Sequence, residues 1–403
     1  MPTKRKIIFD DYDTAANGLW TLAAWALSDA EPVTNFIDVP GRLDGPLDAS
    51  TALTGDIQYS PRTLEATLES SEGTRLEREE RIDYMVNKLH GQRVKIWLPD
   101  DADHYLVGRL RIKKEYNDLA HAAVKVTGTC EPWRYENDET VVRVELNTTG
   151  RNLLAGTRNM SGYYRAEVTP TEADDEGFVV LEWSSGTTAT YRNVKPLPNL
   201  PFAPLRGRTV TLSFDVRSDD YEAINAAASQ GLLVSFATYA GAMDAPRIKY
   251  KDVNLYSFEL SAEWQRVTVT ATLTDDLFYY IQYANTEAPY FNVLVFNTTK
   301  LGMQVRKLKL ELGSEATDWS PAPEDGEGDA VTESITTVLP NDRRPACPVI
   351  SSVGENILAF NSATYALSTG IYQLPDLQLT QGEHTLTASG SGLVSFVYRR
   401  AVL

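Results

Sequence analysis

The sequence predicts a mainly β protein made of several sandwich-like units. Apolar and polar residues alternate with period two along most of the chain, and only one segment has a convincing helical pattern. The 403 residues exceed one ordinary domain, so two or three cores are expected. A composition of 42% hydrophobic and 23% charged residues belongs to a folded chain rather than a disordered one.

The helix comes first along the chain. Thr74 with Glu77 forms a capping box, Leu76, Ile82, Met85, Val86 and Leu89 supply an apolar stripe, and His90-Gly91 ends it. Asp100-Asp101-Ala102-Asp103 reads as a hairpin turn. Val142, Val144 and Leu146 alternate with Arg143 and Glu145, and Val210, Leu212, Phe214 and Val216 alternate with Thr211, Ser213 and Asp215. A short second helix is expected over Tyr221–Ser229. Val267, Val269, Ala271 and Leu273 make another one-sided strand, and Val394, Phe396 and Tyr398 make the last. Gly390-Ser391-Gly392 reads as a hairpin turn. Two stretches read as linkers: Glu131 to Asp138, which breaks the strand pattern, and Ser320 to Asp329, rich in Pro, Gly and acid and expected to be exposed.

The net charge is -17 and it is spread along the chain. Residues 1–149 carry 18 basic and 26 acidic groups, residues 150–325 carry 16 and 22, and residues 326–403 carry 4 and 7. Nucleic-acid binding needs a positive surface, and so does docking on an anionic membrane, so neither partner is expected. Cys130 and Cys347 are too few for a disulfide scaffold or a multi-cysteine zinc site. They read as free thiols, with one bridge left open. The start has a basic cluster but no apolar h-region, so a protein folded in a cytosol is expected.

Catalytic patterns are weak. His90, His104, His121 and His384 lie far apart, with no metal-ligand spacing between any two. The acidic turn at residues 100–103 lacks the Gly and Glu of an EF-hand, and Asp174-Asp175-Glu176 reads as a solvated turn. No enzyme activity, cofactor or metal is expected.

An ordered series of short motifs carries a resemblance. Val39-Pro40-Gly41-Arg42-Leu43-Asp44-Gly45 is followed by Tyr59-Ser60-Pro61-Arg62, Asn87-Lys88-Leu89-His90-Gly91, Tyr105-Leu106-Val107-Gly108-Arg109 and Cys130-Glu131-Pro132-Trp133. The first 135 residues with this series resemble the N-terminal domain of siphophage distal tail proteins. Arg343-Arg344-Pro345, Tyr365 to Gly370, Tyr372 to Asp376 and Gln381 to Leu386 resemble that family's galectin-like C-terminal sandwich. The family's pattern is interrupted here by roughly 180 residues. These open with Gly150-Arg151-Asn152-Leu153-Leu154 and close with Leu308 to Trp319, both similar to jelly-roll carbohydrate-binding modules.

The resemblance implies three units. Residues 1–135 are expected to form a ring-building β-sandwich with one helix. Residues 136–149 plus 326–403 are expected to form one galectin-like sandwich, and residues 150–325 an inserted jelly roll. It further implies a homo-hexameric hub ring at the virion tail tip, assembled in the bacterial cytoplasm. The ring would contact the tail tube protein, a tail lysin or fibre (receptor-binding) protein, and host cell-wall polysaccharide. The competing reading is a secreted glycan-binding accessory protein or glycanase.

The insert holds 11 of the 20 tyrosines. Rings stack on the apolar faces of sugars while amides bond their hydroxyls. In Leu277 to Tyr283, strand phase puts Phe278, Tyr280 and Gln282 on one face and Tyr279, Ile281 and Tyr283 on the other. Ile281 marks the core face, so Tyr280 and Gln282 are candidate carbohydrate contacts. Trp183, Tyr239 and Tyr164 complete the candidate set, although Trp183 shares a face with Val179 and Leu181. Trp264 is expected in the core, and Trp319 over the insert's edge.

Overall fold

The computed structural model describes residues 5–20, 25–38, 40, 45–52, 56–146, 148, 150–160, 169–183, 192–194, 200–201, 203–226, 232–239, 260–273, 290–297, 302–325 and 333–403. The chain is mainly β, in several antiparallel sheets.

The N-terminal sheet is built around four long antiparallel strands, Arg62–Ser70, Arg93–Leu98, Asp101–Asn117 and Ala122–Cys130. Leu64, Leu68, Ile96, Leu110, Ile112, Val124 and Val126 fill its buried face together with Ile82, Met85 and Leu89 of the helix Arg75–Leu89. The capping box forms as expected. The Thr74 N–H donates to Glu77 Oε2 at 2.7 Å, and the Glu77 N–H donates to Thr74 Oγ1 at 3.3 Å. Gly91 follows the helix in the left-handed region, at φ +77°. The expected apolar stripe needs one correction: Leu76 is 68% exposed. Arg78 is buried in its place and donates to the carbonyls of Gly73 and Asp118, tying the helix to the next hairpin.

Two four-stranded sheets face each other near the C-terminus. One runs Thr140–Leu146, Gly392–Tyr398, Val349–Val353, Gly370–Gln373, and the other runs Glu333–Asn341, Gly382–Gly390, Asn356–Phe360, Ala363–Leu367. Val144, Leu146, Ile350, Leu358, Leu386, Val394 and Phe396 fill the space between them. Gly390-Ser391-Gly392 is not a hairpin turn, because the strands on its two sides belong to different sheets. It carries the chain across the sandwich, with Gly390 at φ +140°. A Cβ on Gly392 would overlap the Val353 carbonyl.

Between these two parts of the chain lies a five-stranded sheet, ordered Thr169–Ala173, Val179–Trp183, Met303–Leu312, Thr209–Arg217, Gln265–Thr272. A second sheet has Tyr290–Asn297 at its centre. Leu232–Tyr239 lies on one side, and Arg192–Val194 and Leu200–Pro201 on the other. Leu200, Leu212, Phe214, Val269, Val305 and Leu310 share one core. The helix Tyr221–Ala226 matches the start of the expected one; residues 227–230 lie outside the described residues.

The first expected linker is paired into a sheet and the described part of the second, residues 320–325, is packed; residues 326–329 lie outside the described residues. Within Glu131–Asp138, Arg134–Glu136 is a strand, with Tyr135 opposite Tyr105 on one side and Ala401 on the other. Tyr135 stacks on Tyr105 with centroids 5.5 Å apart, and Arg134 donates to the Leu403 carbonyl at 2.7 Å. Burying a ring and pairing the backbone on both sides outweighs the weak local strand pattern. In the second stretch, Ala322 is fully buried and Pro323–Asp325 forms a 3-10 turn.

That turn closes a clasp at the base of the 150–325 segment. Arg151, 6% exposed, pairs with Glu324 and donates to Ser391 Oγ at 2.9 Å. Glu324 also accepts from the Glu355 N–H at 3.2 Å, and Asp325 accepts from the Gly156 N–H at 2.7 Å. Asn152 reaches the carbonyls of Leu308 and Ser320. Val353 and Leu393 of the C-terminal sandwich are part of the same apolar core as Leu153 and Leu154.

Both cysteines are free, so the bridge left open by the sequence does not form. Burial pushes the Cys130 thiol up to about 11, which makes it a packed and unreactive group.

Candidate functional site

Of the five candidate carbohydrate contacts, Tyr280, Gln282 and Tyr164 lie outside the described residues. The other two have a backbone position only, and they stand in different sheets. Trp183 is paired with Met303 in the five-stranded sheet, and Tyr239 is paired with Tyr290 in the other.

The five-stranded sheet has a core face and an outward face. Val210, Leu212, Phe214 and Val216 point inward, leaving Thr209, Thr211, Ser213, Asp215 and Arg217 outward. The chain itself closes much of this outward face. Arg306, buried, pairs with Asp174 and with Glu176 at 2.9 Å, and Lys307 reaches Glu176 at 2.5 Å. Thus the Asp174-Asp175-Glu176 turn is exposed at Asp175 and Glu176, as expected of a solvated turn, and is clamped to the sheet by Arg306 and Lys307. Burial alone would raise the Asp174 carboxyl, but the Phe178 N–H and the Arg306 guanidinium bring it below its ordinary value. Hydrogen bonds from Lys307 and Arg306 lower Glu176.

Trp264 is not core. It is half-buried on this outward side, with the guanidiniums of Arg306 and Arg217 at 4.4 and 4.8 Å from its ring. Trp319 covers the edge as expected. It meets Phe178 edge-on at 4.6 Å and donates to the Leu308 carbonyl at 3.1 Å. Beside it, a fully buried pair pins the tail that leads to Trp319. Lys309 lies 3.5 Å from Glu311 and donates to the Asp318 carbonyl at 2.7 Å, while Glu311 accepts from the Thr317 N–H at 2.8 Å. No sequence signal marked Lys309 and Glu311, because alternation places them outward and only the folded tail buries them.

A second cluster joins the N-terminal sheet to the C-terminal sandwich. Arg62 donates to the Pro132 carbonyl at 2.8 Å, Tyr59 meets Trp133 edge-on at 5.5 Å, and Arg343 sits 5.7 Å from the Tyr59 ring. Arg344 lies 5.1 Å from the Tyr135 ring. Phe36–Ile37 and Leu47–Asp48 form a separate two-stranded sheet, a few residues on from Pro32, which pairs with Tyr59 of this cluster. It exposes Phe36 (61%), Ile37 (46%) and Leu47 (43%), with Val33 and Ile57 exposed nearby in sequence.

The acidic stretch 100–103 is only partly the expected turn, because Pro99-Asp100 makes the turn and Asp101 already begins the strand Asp101–Asn117, and protein groups engage it. Asp100 pairs with Arg5 at 2.8 Å, and Asp101 bonds His104 at 2.8 Å and Arg134 at 3.3 Å. Among the described residues, no group of three or more His, Cys, Asp or Glu side chains could hold a metal, and no helix is long and apolar enough to cross a membrane.

No protein-family model matches this chain. No curated protein matches it either. Solved structures similar to it include the Dit protein of phage SPP1, described as a paradigm of hub adsorption apparatus in phages infecting Gram-positive hosts. That match has 12% identity and a TM-score of 0.25, and covers 76% of this chain and 98% of the other. The tandem CBM22 domains of Paenibacillus barcinonensis Xyn10C match at 11% identity and TM-score 0.28, covering 64% and 99%. The tripod from the baseplate of phage Tuc2009 matches at 15% and 0.24, covering 63% and 98%. With TM-scores this low the likenesses are loose.

Proposed function

We propose that this chain is a structural, non-enzymatic protein of a phage tail tip. In this reading, residues 1–135 build a hexameric hub ring and residues 136–149 plus 326–403 form a galectin-like sandwich on it. Residues 150–325 form a jelly roll that holds host cell-surface glycans. The ring would join the tail tube to a lysin or fibre protein in the virion. One observation carries the reading. Motif residues far apart in sequence, Tyr59, Arg62, Pro132, Trp133, Arg343 and Arg344, meet in one junction between the N-terminal sheet and the C-terminal sandwich. These are among the residues through which the sequence resembles distal tail proteins at both ends. The exposed hairpin with Phe36, Ile37 and Leu47 supplies an apolar surface of the kind subunit assembly buries.

Light scattering and negative-stain imaging of the full chain test this. A six-fold ring is the expected particle, favoured by salt because residues 1–149 carry 18 basic and 26 acidic groups and repulsion is screened beyond about 8 Å at physiological salt. Phe36→Asp with Ile37→Asp should shift the ring to monomer without unfolding it. A chain that stays monomeric at every salt and concentration, and that also fails to bind purified tail tubes, would overturn the proposal.

A further inference from the structure

The chain is acidic overall, yet one face of its N-terminal sheet is cationic. Period two along Asp101–Asn117 turns Leu106, Leu110 and Ile112 into the core under the helix Arg75–Leu89, and turns Arg109, Arg111 and Lys113 out to solvent. The neighbouring strands add to the same outward face. Arg93 and Lys95 stand on Arg93–Leu98, and Lys125 stands on Ala122–Cys130. Six of the 18 basic groups in residues 1–149 are thus gathered on three adjacent strands.

This placement works against the free fold. Arg93 lies directly opposite Arg109 in the ladder, and Lys113 lies directly opposite Lys125. Like charges directly opposite each other destabilise a sheet. The chain compensates only in part, and from the rim. Arg93 pairs with Glu131, Lys125 with Glu65 at 3.0 Å, and Lys113 with Glu115 at 3.4 Å. Arg109 donates to the Gly91 carbonyl at 2.5 Å. Among the described residues, neither Lys95 nor Arg111 has a carboxylate partner. Lys95 lies 4.9 Å from the Tyr105 ring, and Arg111 stands mid-face, opposite Thr127. Such a face suits a few discrete carboxylates rather than a phosphate backbone. A long polyanion running off the face would meet Glu65, Glu69, Glu115 and Glu131, and the net charge of -17 repels it further. A protein surface can set carboxylates against Lys95, Arg109 and Arg111 and its own basic groups against that rim. Half-buried Trp97 and Val107 and exposed Thr129 give it uncharged area to rest on.

We propose that this cationic sheet face docks an acidic surface patch of another protein. The proposal stands on charge placement and does not depend on the tail-tip reading. Complementary charge steers the encounter and fixes its register, and exposed charges are screened by salt, so association should slow and weaken as salt rises.

The test uses the full chain with two probes: a hexaglutamate peptide, and an oligothymidylate of the same charge. Carbodiimide joins a carboxylate to an amine it touches. It should couple hexaglutamate to Lys95, Lys113 and Lys125 ahead of Lys6 and Lys88, and the coupling should fade as salt is raised. Arg111→Glu should weaken hexaglutamate binding about fivefold, and Arg111→Lys should keep it. Arg75→Glu makes the same change in net charge at an exposed position on the helix and should leave binding nearly unchanged. Lys113→Thr should also weaken binding, while its melting temperature holds or rises because the repulsion from Lys125 is relieved. A lower melting temperature for Lys113→Thr would mean that the free fold needs this lysine, and would overturn the energetic argument. Coupling spread evenly over all exposed lysines, or equal effects of Arg111→Glu and Arg75→Glu, would reduce the face to a share of the overall charge and overturn the proposal. Oligothymidylate binding as tightly as hexaglutamate would assign the face to a phosphate backbone instead. Self-association of the wild type at low salt that Arg111→Glu abolishes would assign it to a second copy of this chain. Either result overturns the acidic protein partner.

Discussion

At the scale of single residues, the positions that matter most lie where chain segments distant in sequence meet. Glu324 is the clearest. It neutralises Arg151, which is 6% exposed and whose guanidinium burial alone would disfavour. Glu324→Ala leaves an uncompensated buried charge, a change that typically costs about 3–5 kcal/mol. A double change, Arg151→Met with Glu324→Met, removes both charges and should recover much of that loss. Denaturant unfolding followed by a probe in the C-terminal sandwich would read both variants, and no recovery in the pair would mean that the charge is not the source. Gly392→Ala is a purely steric test. Its Cβ would overlap the rigid Val353 carbonyl, so a loss of about 1–3 kcal/mol or more is expected from the same measurement. Neither role is legible in the sequence. An arginine after a glycine and a glutamate in a Pro-rich stretch look like surface residues until the fold brings them together.

At the scale of elements, legibility follows the range of the forces involved. The helix Arg75–Leu89 was readable because its capping box is local, and Thr74→Ala should cost about 1 kcal/mol in thermal unfolding of the N-terminal sheet. The exposure of Leu76 was not readable, because helical spacing alone does not say which side meets the sheet. The strand Arg134–Glu136 was missed for a related reason. Three residues carry no periodicity, and one partner, Ala401–Val402, lies at the other end of the chain. The Asp174–Glu176 turn gives a pH test. Both carboxyls are held below their ordinary values in the folded chain, so their contribution is complete above the usual carboxylate range of about pH 4. It is lost as pH falls through the lowered values. Hydrogen exchange of the Phe178–Trp183 stretch should therefore quicken, relative to the intrinsic rate, as pH falls below the usual carboxylate range of about 4. Asp174→Asn should show part of that loss at neutral pH. Equal protection in variant and wild type would mean that the clamp does not hold the turn.

At the scale of the whole molecule, alternation revealed that Thr140–Leu146 and Gly392–Tyr398 were strands with one buried face, and the ladder pairs all seven residues of each. What alternation could not reveal is how the segment between them is seated. A freely hung insertion would touch its host only through two linkers, yet here Val353 and Leu393 of the C-terminal sandwich share the core of the inserted segment. Arg143 donates to the Ala203 carbonyl at 3.2 Å, and Arg208 pairs with Glu145. Replacing residues 150–325 with a short Gly/Ser linker should therefore leave the sandwich folded but weakened. The seven-pair ladder and the core around Ile350, Leu386 and Phe396 remain. Val353 and Leu393 lose their cover, at about 1.5–3 kcal/mol for each side chain. Converting both to Ser in the shortened chain should lower the exposure of apolar surface without further loss of stability, whereas the same pair of changes in the full chain should be strongly destabilising. Chemical denaturation of the four proteins measures this as a coupling between the insert and the two side chains. Additive effects, with the two changes costing the same in both backgrounds, would mean that the insert rests on the sandwich without sharing its core.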